Sequence, residues 1–235
     1  MTLMRNVVTS IIKTLIGLLC DVHGAALSRV PEQGPLILIT NHINFLEVPL
    51  IFTYLQPRPV VGLVKEENWH HPFTRWLAEL WEAVPIRRGE GDVAAIRRSL
   101  EALEAGNILA VAPEGTRSGH GRLQRGHPGV VMLALKSQAP VLPFAIYGNE
   151  RLWRDWAALR RPDVHISIGD VFYIDTGDVK VTRDVRRKIV DEIMYQVAAV
   201  LPPAYRGVYS DLGAATETYL RFPPGATSNL RRAQP

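Results

Sequence analysis

The chain has a single cysteine, Cys20, among its 235 residues, and this scarcity excludes several architectures. An internal disulfide is impossible, which suits a protein of a reducing compartment. The neighbouring residues His70 and His71 do not have the spacing of metal ligands, because adjacent side chains diverge, and no other cluster of histidine, cysteine and aspartate stands out. We therefore expect neither a disulfide-stabilised fold nor a bound metal ion.

Strong charge is also missing, since the formal net charge is +4 and charged residues make up 21% of the chain. Mild basicity is compatible with an anionic substrate, a membrane surface or nucleic acid. No zinc-finger spacing, RNP-type string or recognition-helix signature accompanies it, so we do not expect a nucleic-acid partner. Length and a hydrophobic fraction of 47% indicate a globular protein with one sizeable domain.

A long uninterrupted apolar run is absent from the N-terminus. Lys13 breaks the apolar segment well short of the roughly twenty residues that a membrane-spanning helix needs, and no signal-peptide cleavage site follows. Apolar residues recur there at helical spacing, namely Met4, Val7, Val8, Ile11, Ile12, Leu15, Leu18 and Leu19. Residues 1–24 therefore predict an amphipathic helix. It either lies in the membrane interface, with Arg5 and Lys13 near lipid head groups, or packs on the domain like an ordinary helix.

Between residues 25 and 202, apolar strands alternate with amphipathic helices. The main strands are expected at 36–40, 59–64, 107–112 and 140–147, and the main helices at 73–81, 129–137 and 183–201. This alternation predicts an α/β fold with a mostly parallel sheet covered by flanking helices. Residues 203–235 are rich in proline, glycine and alanine, and we expect them to form a loose C-terminal tail.

His42 and Glu47 form the first candidate site, directly after the predicted strand 36–40. On one continuous helix the two side chains would point about 140° apart, so they meet only if His42 lies in a turn and Glu47 begins the helix. A histidine oriented by a carboxylate can take a proton from a hydroxyl group. The alternative is that His42 is a turn residue and Glu47 favours the helix N-terminus electrostatically.

A second candidate site follows the predicted strand 107–112. Gly115 permits a close backbone turn that exposes N–H groups to an anion, and Arg117 offers a guanidinium suited to phosphate. Glu114 would hold that guanidinium or a neighbouring arginine. The alternative is a charged surface turn. Further residues that would support an anion site are Lys65, Arg87, Arg88 and His127.

Taken in order, these strings resemble the glycerolipid acyltransferase family of the lysophosphatidic acid type. The family pattern has an Asn-His-x4-Asp block, an arginine block, a Pro-Glu-Gly-Thr-Arg-Ser block and a proline-rich strand. The matching segments are Asn41-His42 to Glu47, Pro85 to Gly89, Pro113 to Ser118 and Pro140 to Pro143. The resemblance covers roughly residues 25 to 175.

The resemblance implies an enzyme that moves a fatty acyl group from a thioester of coenzyme A or acyl carrier protein to a lysophospholipid hydroxyl. The implied acceptor is 1-acylglycerol-3-phosphate and the product phosphatidic acid. His42 and Glu47 would form the catalytic pair. The phosphate-binding set would be Arg88, Glu114, Gly115, Thr116 and Arg117, with support from Asn41, Lys65, Arg87 and His127. It further implies no cofactor beyond the co-substrate, and peripheral or monotopic membrane association at the cytoplasmic face.

One position departs from the family pattern, because Glu47 stands where the family has aspartate. The extra methylene displaces the carboxylate by about 1.5 Å unless the backbone compensates, and small misplacements in a catalytic set are expensive. We expect compensation. Two alternatives remain open: an acyltransferase with another lipid or glycolipid acceptor, and a weakly active lipid-binding relative.

Overall fold

The computed structural model describes residues 2–87 and 92–233. The strands are β1 (Asp21–His23), β2 (Leu36–Thr40), β3 (Val60–Lys65), β4 (Val84–Ile86), β5 (Ile108–Val111), β6 (Val141–Tyr147), β7 (Asp163–Ile168), β8 (Tyr173–Ile174) and β9 (Leu220–Arg221). The helices are α1 (Thr2–Leu19), α2 (Glu47–Tyr54), α3 (Pro72–Leu80), α4 (Val93–Glu104), α5 (Gly129–Ser137), α6 (Leu152–Ala157), α7 (Arg183–Ala199) and α8 (Asn229–Ala233). Short 3₁₀ turns join several of these elements.

Seven strands form one sheet in the order β1-β7-β6-β2-β5-β3-β4. Strands β6 and β7 are antiparallel, and every other neighbouring pair in this sheet is parallel. The expected α/β fold with a mostly parallel sheet is therefore confirmed. Strands β8 and β9 form a separate two-stranded sheet.

Both faces of the sheet are covered, which is why its strands read as continuous apolar runs. All five residues of β2 are buried. Ile37 and Ile39 pack into a core shared with α4, α5 and α7. Leu36 and Leu38 point the opposite way, into a core shared with α1 and α2. Because alternate residues of a strand face opposite sides, two cores form on one sheet.

The register places the carboxyl ends of β2 and β5 side by side, with Ile39 opposite Val111. In an open α/β sheet this edge is where substrates bind. The loops that follow these two strands contain the two sequence blocks described above, so the topology brings the blocks together across seventy residues of chain.

The N-terminal helix packs on the domain through one side and exposes the other. Thr9, Ile16 and Cys20 are buried against the domain. Arg5 forms an ion pair with Glu82 at 3.6 Å, and the Lys13 ammonium lies over the ring of Tyr54. Both cations therefore contact the protein, and their expected place near lipid head groups stays a prediction.

The exposed side of α1 is its apolar stripe, formed by Leu3, Val7, Ile11 and Leu18, each at least half exposed. No helix among the described residues combines the length and apolar character needed to cross a bilayer. Residues 21–23, expected to end the helical segment, instead form β1 and pair with β7.

The C-terminal residues do not form a loose tail. Within 203–233, Tyr209, Asn229 and Leu230 are buried, and α8 packs against α7. The Asn229 side chain donates a hydrogen bond of 2.9 Å to Gln196. The prediction of a loose tail is wrong because proline and glycine also occur in ordered turns. Here buried side chains such as Tyr209 fix these turns against the domain.

Candidate active site

The catalytic pair predicted from sequence is assembled at the junction of β2 and α2. Glu47 is the first residue of α2, so its side chain reaches back over the preceding loop. The Asn44 side chain accepts a hydrogen bond of 2.8 Å from the N–H of Leu46, which stabilises that loop. His42 Nδ1 lies 3.0 Å from Glu47 Oε2. The helix boundary thus provides the geometry that a spacing of five residues requires.

The environment of this pair suits proton transfer. The Glu47 side chain is 2% exposed and that of His42 is 16% exposed. A carboxylate oxygen accepts hydrogen bonds, so His42 Nδ1 is the donor and carries the proton. The lone pair on Nε2 is therefore available to take up a second proton. A buried carboxylate in this position can stabilise an imidazolium, so the arrangement is chemically able to take a proton from a hydroxyl group at Nε2.

Glu114 lies beneath the site and supports its backbone. Its carboxylate accepts hydrogen bonds from the N–H of His42 at 2.7 Å and from the N–H of Gln124 at 2.8 Å. Burial raises the pKa of Glu114 to about 7, against the lowering effect of these two hydrogen bonds. The carboxylate thus holds two backbone N–H groups, whereas the sequence predicted that it would hold the Arg117 guanidinium or a neighbouring arginine.

The turn after Glu114 lies against the His42 loop. Gly115 adopts a φ of +67°, a conformation that favours glycine, and a Cβ there would lie 3.0 Å from the His127 ring. The N–H of Ser118 donates to the His42 carbonyl at 2.8 Å. Thr116 and Arg117, directly before Ser118, are exposed. The exposed Arg117 is therefore the sequence neighbour of a residue bonded to the His42 backbone.

The remaining residues of the predicted phosphate set take different positions. His127 is exposed beside Gly115. Lys65 ends β3, two strands away from β2 at the same edge of the sheet. Arg87 is exposed and forms an ion pair with Glu66 at 2.7 Å. Arg88 lies outside the described residues.

Two asparagines near the pair have roles that the sequence did not reveal. Asn41 is buried, and its side chain donates to the Ile146 carbonyl at 2.7 Å and accepts from the Ile146 N–H at 2.8 Å. It thus continues the pairing of β2 with β6 and acts as a structural residue. Asn149, after β6, contacts Glu47 directly. No local pattern distinguishes Asn149, since the contact joins residues more than a hundred positions apart.

One group of possible metal ligands occurs in the described part of the chain, at the β1–β7 edge. Ligand atoms of Asp21, His23 and Asp163 lie within 4.8 Å of one another, and all three residues are exposed. His23 is hydrogen bonded to Asp163, and Asp21 faces Arg161 at 3.9 Å. These partners account for the cluster, and we assign no ion to it.

Comparison with known proteins places this geometry in a family. The acyltransferase family model matches residues 21–147. A 1-acyl-sn-glycerol-3-phosphate acyltransferase of Limnanthes alba is 34% identical over 146 residues, which is 60% of this chain and 51% of that protein. A lyso-ornithine lipid O-acyltransferase of Pseudomonas aeruginosa is 34% identical over 119 residues, covering 50% of this chain and 45% of that protein. This chain spans about half the length of these curated relatives.

A solved structure is also similar. The crystal structure of the 1-acyl-sn-glycerophosphate acyltransferase PlsC from Thermotoga maritima superposes with a TM-score of 0.60 at 25% identity, covering 80% of this chain and 76% of that one. The family match includes β2, α2, β5 and the loops that carry His42 and Arg117. By its matched segment, its fold and the arrangement of these loops, this chain belongs to the acyltransferase family.

Proposed function

We propose that this protein transfers a fatty acyl group from an acyl thioester to the free hydroxyl of 1-acylglycerol-3-phosphate, giving phosphatidic acid. The observation that carries the proposal is the hydrogen bond of 3.0 Å between His42 and the buried Glu47, beside the exposed Arg117. An oriented base next to a phosphate-binding group suits a phosphate-bearing alcohol. The similar proteins of Limnanthes alba and Thermotoga maritima are named as acyltransferases of 1-acyl-sn-glycerol phosphate, which supports the same acceptor here.

The chemical step is a nucleophilic acyl transfer. His42 Nε2 takes the proton from the acceptor hydroxyl as the oxygen attacks the thioester carbonyl carbon, and a tetrahedral intermediate forms. The intermediate collapses with cleavage of the carbon–sulfur bond. The proton on Nε2 then passes to the departing thiolate, which leaves as the free thiol and returns His42 to its neutral form. Glu47 accepts the hydrogen bond from His42 Nδ1 throughout and stabilises the transient imidazolium.

The glycerol phosphate binds at the turn beside His42. Arg117 supplies the guanidinium, Gly115 and Thr116 form the turn, and Arg88 is the second arginine of the set. Glu114 keeps the His42 loop and the loop of Gln124 in place from below. The acyl donor is acyl-CoA or acyl carrier protein, and no further cofactor takes part because the thioester already supplies the driving force.

The membrane surface is the third partner in this proposal. Apolar side chains on the outward side of α1 are suited to insertion into the interface of a bilayer, where the lipid acceptor resides. The domain-facing side of the helix is held by Thr9, Ile16 and the Arg5–Glu82 ion pair. The protein would therefore associate peripherally, at the cytoplasmic face.

A second candidate acceptor is a lysolipid that carries an amino acid, because one relative is named a lyso-ornithine lipid O-acyltransferase. Such a lipid offers Arg117 no phosphate, so the arginine would have a partner only if the carboxylate of the amino acid bound in the position of the phosphate. The two candidates share the donor and the catalytic pair, and they differ in what Arg117 contacts.

The deciding experiment is a thiol-release assay with acyl-CoA and acyl carrier protein as donors and a panel of acceptors, with products identified by mass spectrometry. We expect the highest kcat/KM for 1-acylglycerol-3-phosphate. A preference for lyso-ornithine lipid or a glycolipid precursor would select an alternative acceptor. Lipid binding without turnover of any thioester would show that the protein is a lipid-binding relative that has kept the fold but not the activity.

A further inference from the structure

The carboxylate of Glu47 is more completely held than a two-residue catalytic pair requires. Oε2 accepts from His42 Nδ1 at 3.0 Å and from the Asn44 N–H at 3.0 Å. Oε1 accepts from Asn149 Nδ2 at 2.5 Å. Glu47 is 1% exposed, so these donors take the place of water around its carboxylate, because a buried polar group without hydrogen-bond partners is costly.

Asn149 is itself fully buried and committed to this contact. Its second amide proton is directed at the Asn44 side-chain oxygen at 3.3 Å, and its backbone carbonyl accepts from Asn44 Nδ2 at 2.7 Å. The neighbours of the amide nitrogen are acceptors, so the reversed amide would place its oxygen against a carboxylate. The Asn149 side-chain oxygen has no hydrogen-bond partner within 2–87 and 92–233.

The backbone before Asn149 is built for this placement. Gly148 adopts a φ of +93°, and a Cβ there would lie 2.0 Å from the carbonyl oxygen of Asp163. Only glycine permits the turn by which the chain leaves β6 this close to β7. The turn presents Asn149 to the loop that follows β2, the strand next to β6 in the sheet.

The length of Glu47 matches this arrangement. One Glu47 oxygen is hydrogen bonded to His42, in the loop directly before α2. The other accepts a hydrogen bond from Asn149, which follows the neighbouring strand β6. An aspartate at position 47 would end about 1.5 Å earlier and would not span both partners without movement of the backbone. The residue that departs from the family pattern is therefore the one that needs the added methylene.

We propose that Asn149 is a positioning residue of the catalytic centre, and that Asn149 and Glu47 act as a matched pair. The amide of Asn149 keeps the Glu47 carboxylate aligned with His42 Nδ1. This alignment maintains the tautomer whose Nε2 accepts the substrate proton. The inference rests on the proposed function for its kinetic consequences, but its effect on the His42 tautomer is independent of the acceptor.

The kinetic test compares Asn149→Ala with the wild-type protein. We expect kcat to fall about 10- to 100-fold while KM for both substrates stays within about twofold, because Asn149 aligns the base and touches no substrate. Asn149→Ser, which keeps a shorter donor, should recover part of kcat and also serves if the alanine variant does not fold. The matched control is Asn229→Ala, another buried asparagine with side-chain hydrogen bonds, at the opposite end of β7. Its kcat per folded molecule should be unchanged.

A double-mutant cycle tests the matching. Glu47→Asp alone should lower kcat about tenfold or more, because the shorter carboxylate loses one partner. In the Asn149→Ala background the same change should cost less than about threefold, since the second partner is already absent. Independent, multiplicative losses would overturn the matched pair.

A spectroscopic measurement separates this inference from the proposed function. Nitrogen NMR of histidine-labelled protein, with His42→Gln to assign the signal, reports the tautomer directly. We expect His42 to be protonated at Nδ1 in the wild type and to become a mixture of tautomers in Asn149→Ala. An unchanged tautomer would overturn the inference even if the enzyme is active. Conversely, a protein without transferase activity but with the expected change would retain the inference and refute the function.

Discussion

The carboxylate of Glu114 accepts a hydrogen bond of 2.7 Å from the backbone N–H of His42, seventy-two residues earlier in the chain. The two sequence blocks are thus joined by a buried contact as well as by adjacent strands. The Glu114 side chain holds the backbone of His42, and Arg117, three residues later, is exposed. One short string therefore supports the His42 loop and also carries the arginine that the proposed function assigns to a substrate phosphate.

Glu114→Gln should flatten the pH dependence of stability. The pKa of Glu114 is raised from 4.5 to about 7 in the folded protein, so the native state retains a proton that the unfolded chain has lost. The stabilisation is fully present below pH 4.5 and is lost as the pH rises through 7. The free energy of unfolding should fall by up to about 1.4 kcal/mol per pH unit in this window.

Denaturant unfolding between pH 4.5 and 8 measures this slope. The glutamine variant has no titrating group at this position, so it should lack the Glu114 contribution to the slope, although its amide nitrogen gives up one of the two backbone hydrogen bonds that the carboxylate accepts. Glu32→Gln, on an exposed side chain, is the control and should leave the slope unchanged. Identical slopes in the wild type and Glu114→Gln would contradict the assignment.

His42→Ala should abolish acyl transfer without unfolding the protein. Loss of an oriented general base costs about 10³-fold or more in kcat, and the partly exposed imidazole contributes little to the core. The measurement is thiol release at saturating substrate, with circular dichroism to verify the fold. His70→Ala, an exposed histidine outside the catalytic loop, should retain activity. Retention of activity by His42→Ala would refute the proposed mechanism.

Arg117→Ala should weaken use of the phosphate substrate. A charged hydrogen bond to phosphate is worth about 1.5–3 kcal/mol, so KM for 1-acylglycerol-3-phosphate should rise about 10- to 100-fold. Acceptors without phosphate should be affected much less. Arg98→Ala removes an exposed arginine on α4, away from the predicted anion site, and serves as the control. Equal losses with all acceptors would show that Arg117 is structural.

Two glutamates on the outward side of α1 should release the protein from membranes. Val7→Glu with Ile11→Glu replaces half-exposed apolar side chains that make no core contact, so the fold should persist. Partition onto anionic liposomes should fall about 100-fold or more. Asn6→Glu with Ser10→Glu adds the same charge on the polar flank of the helix and should have a much smaller effect. Equal losses for both pairs would point to charge alone rather than insertion of the apolar stripe.

Local sequence patterns determined much of this protein. The apolar run 36–40 predicted β2, and the helical spacing of residues 129–137 predicted α5 with the same bounds. The pairing of His42 with Glu47 was also within reach, because it depends on a helix boundary only five residues away. Strand periodicity, helix caps and short loops are local properties, so residue order alone carries them.

Tertiary structure decided the remaining features. Asn149 reaches Glu47 because β6 lies beside β2, and the strand order depends on how the whole chain packs. Glu114 turned from a candidate ligand into a buried support because its surroundings come from other loops. The pattern of α1 predicted an apolar side, whereas packing of Thr9 and Ile16 determined that this side faces outward. Such contacts join residues that are distant in sequence, so they form only when the whole chain has packed around both faces of the sheet.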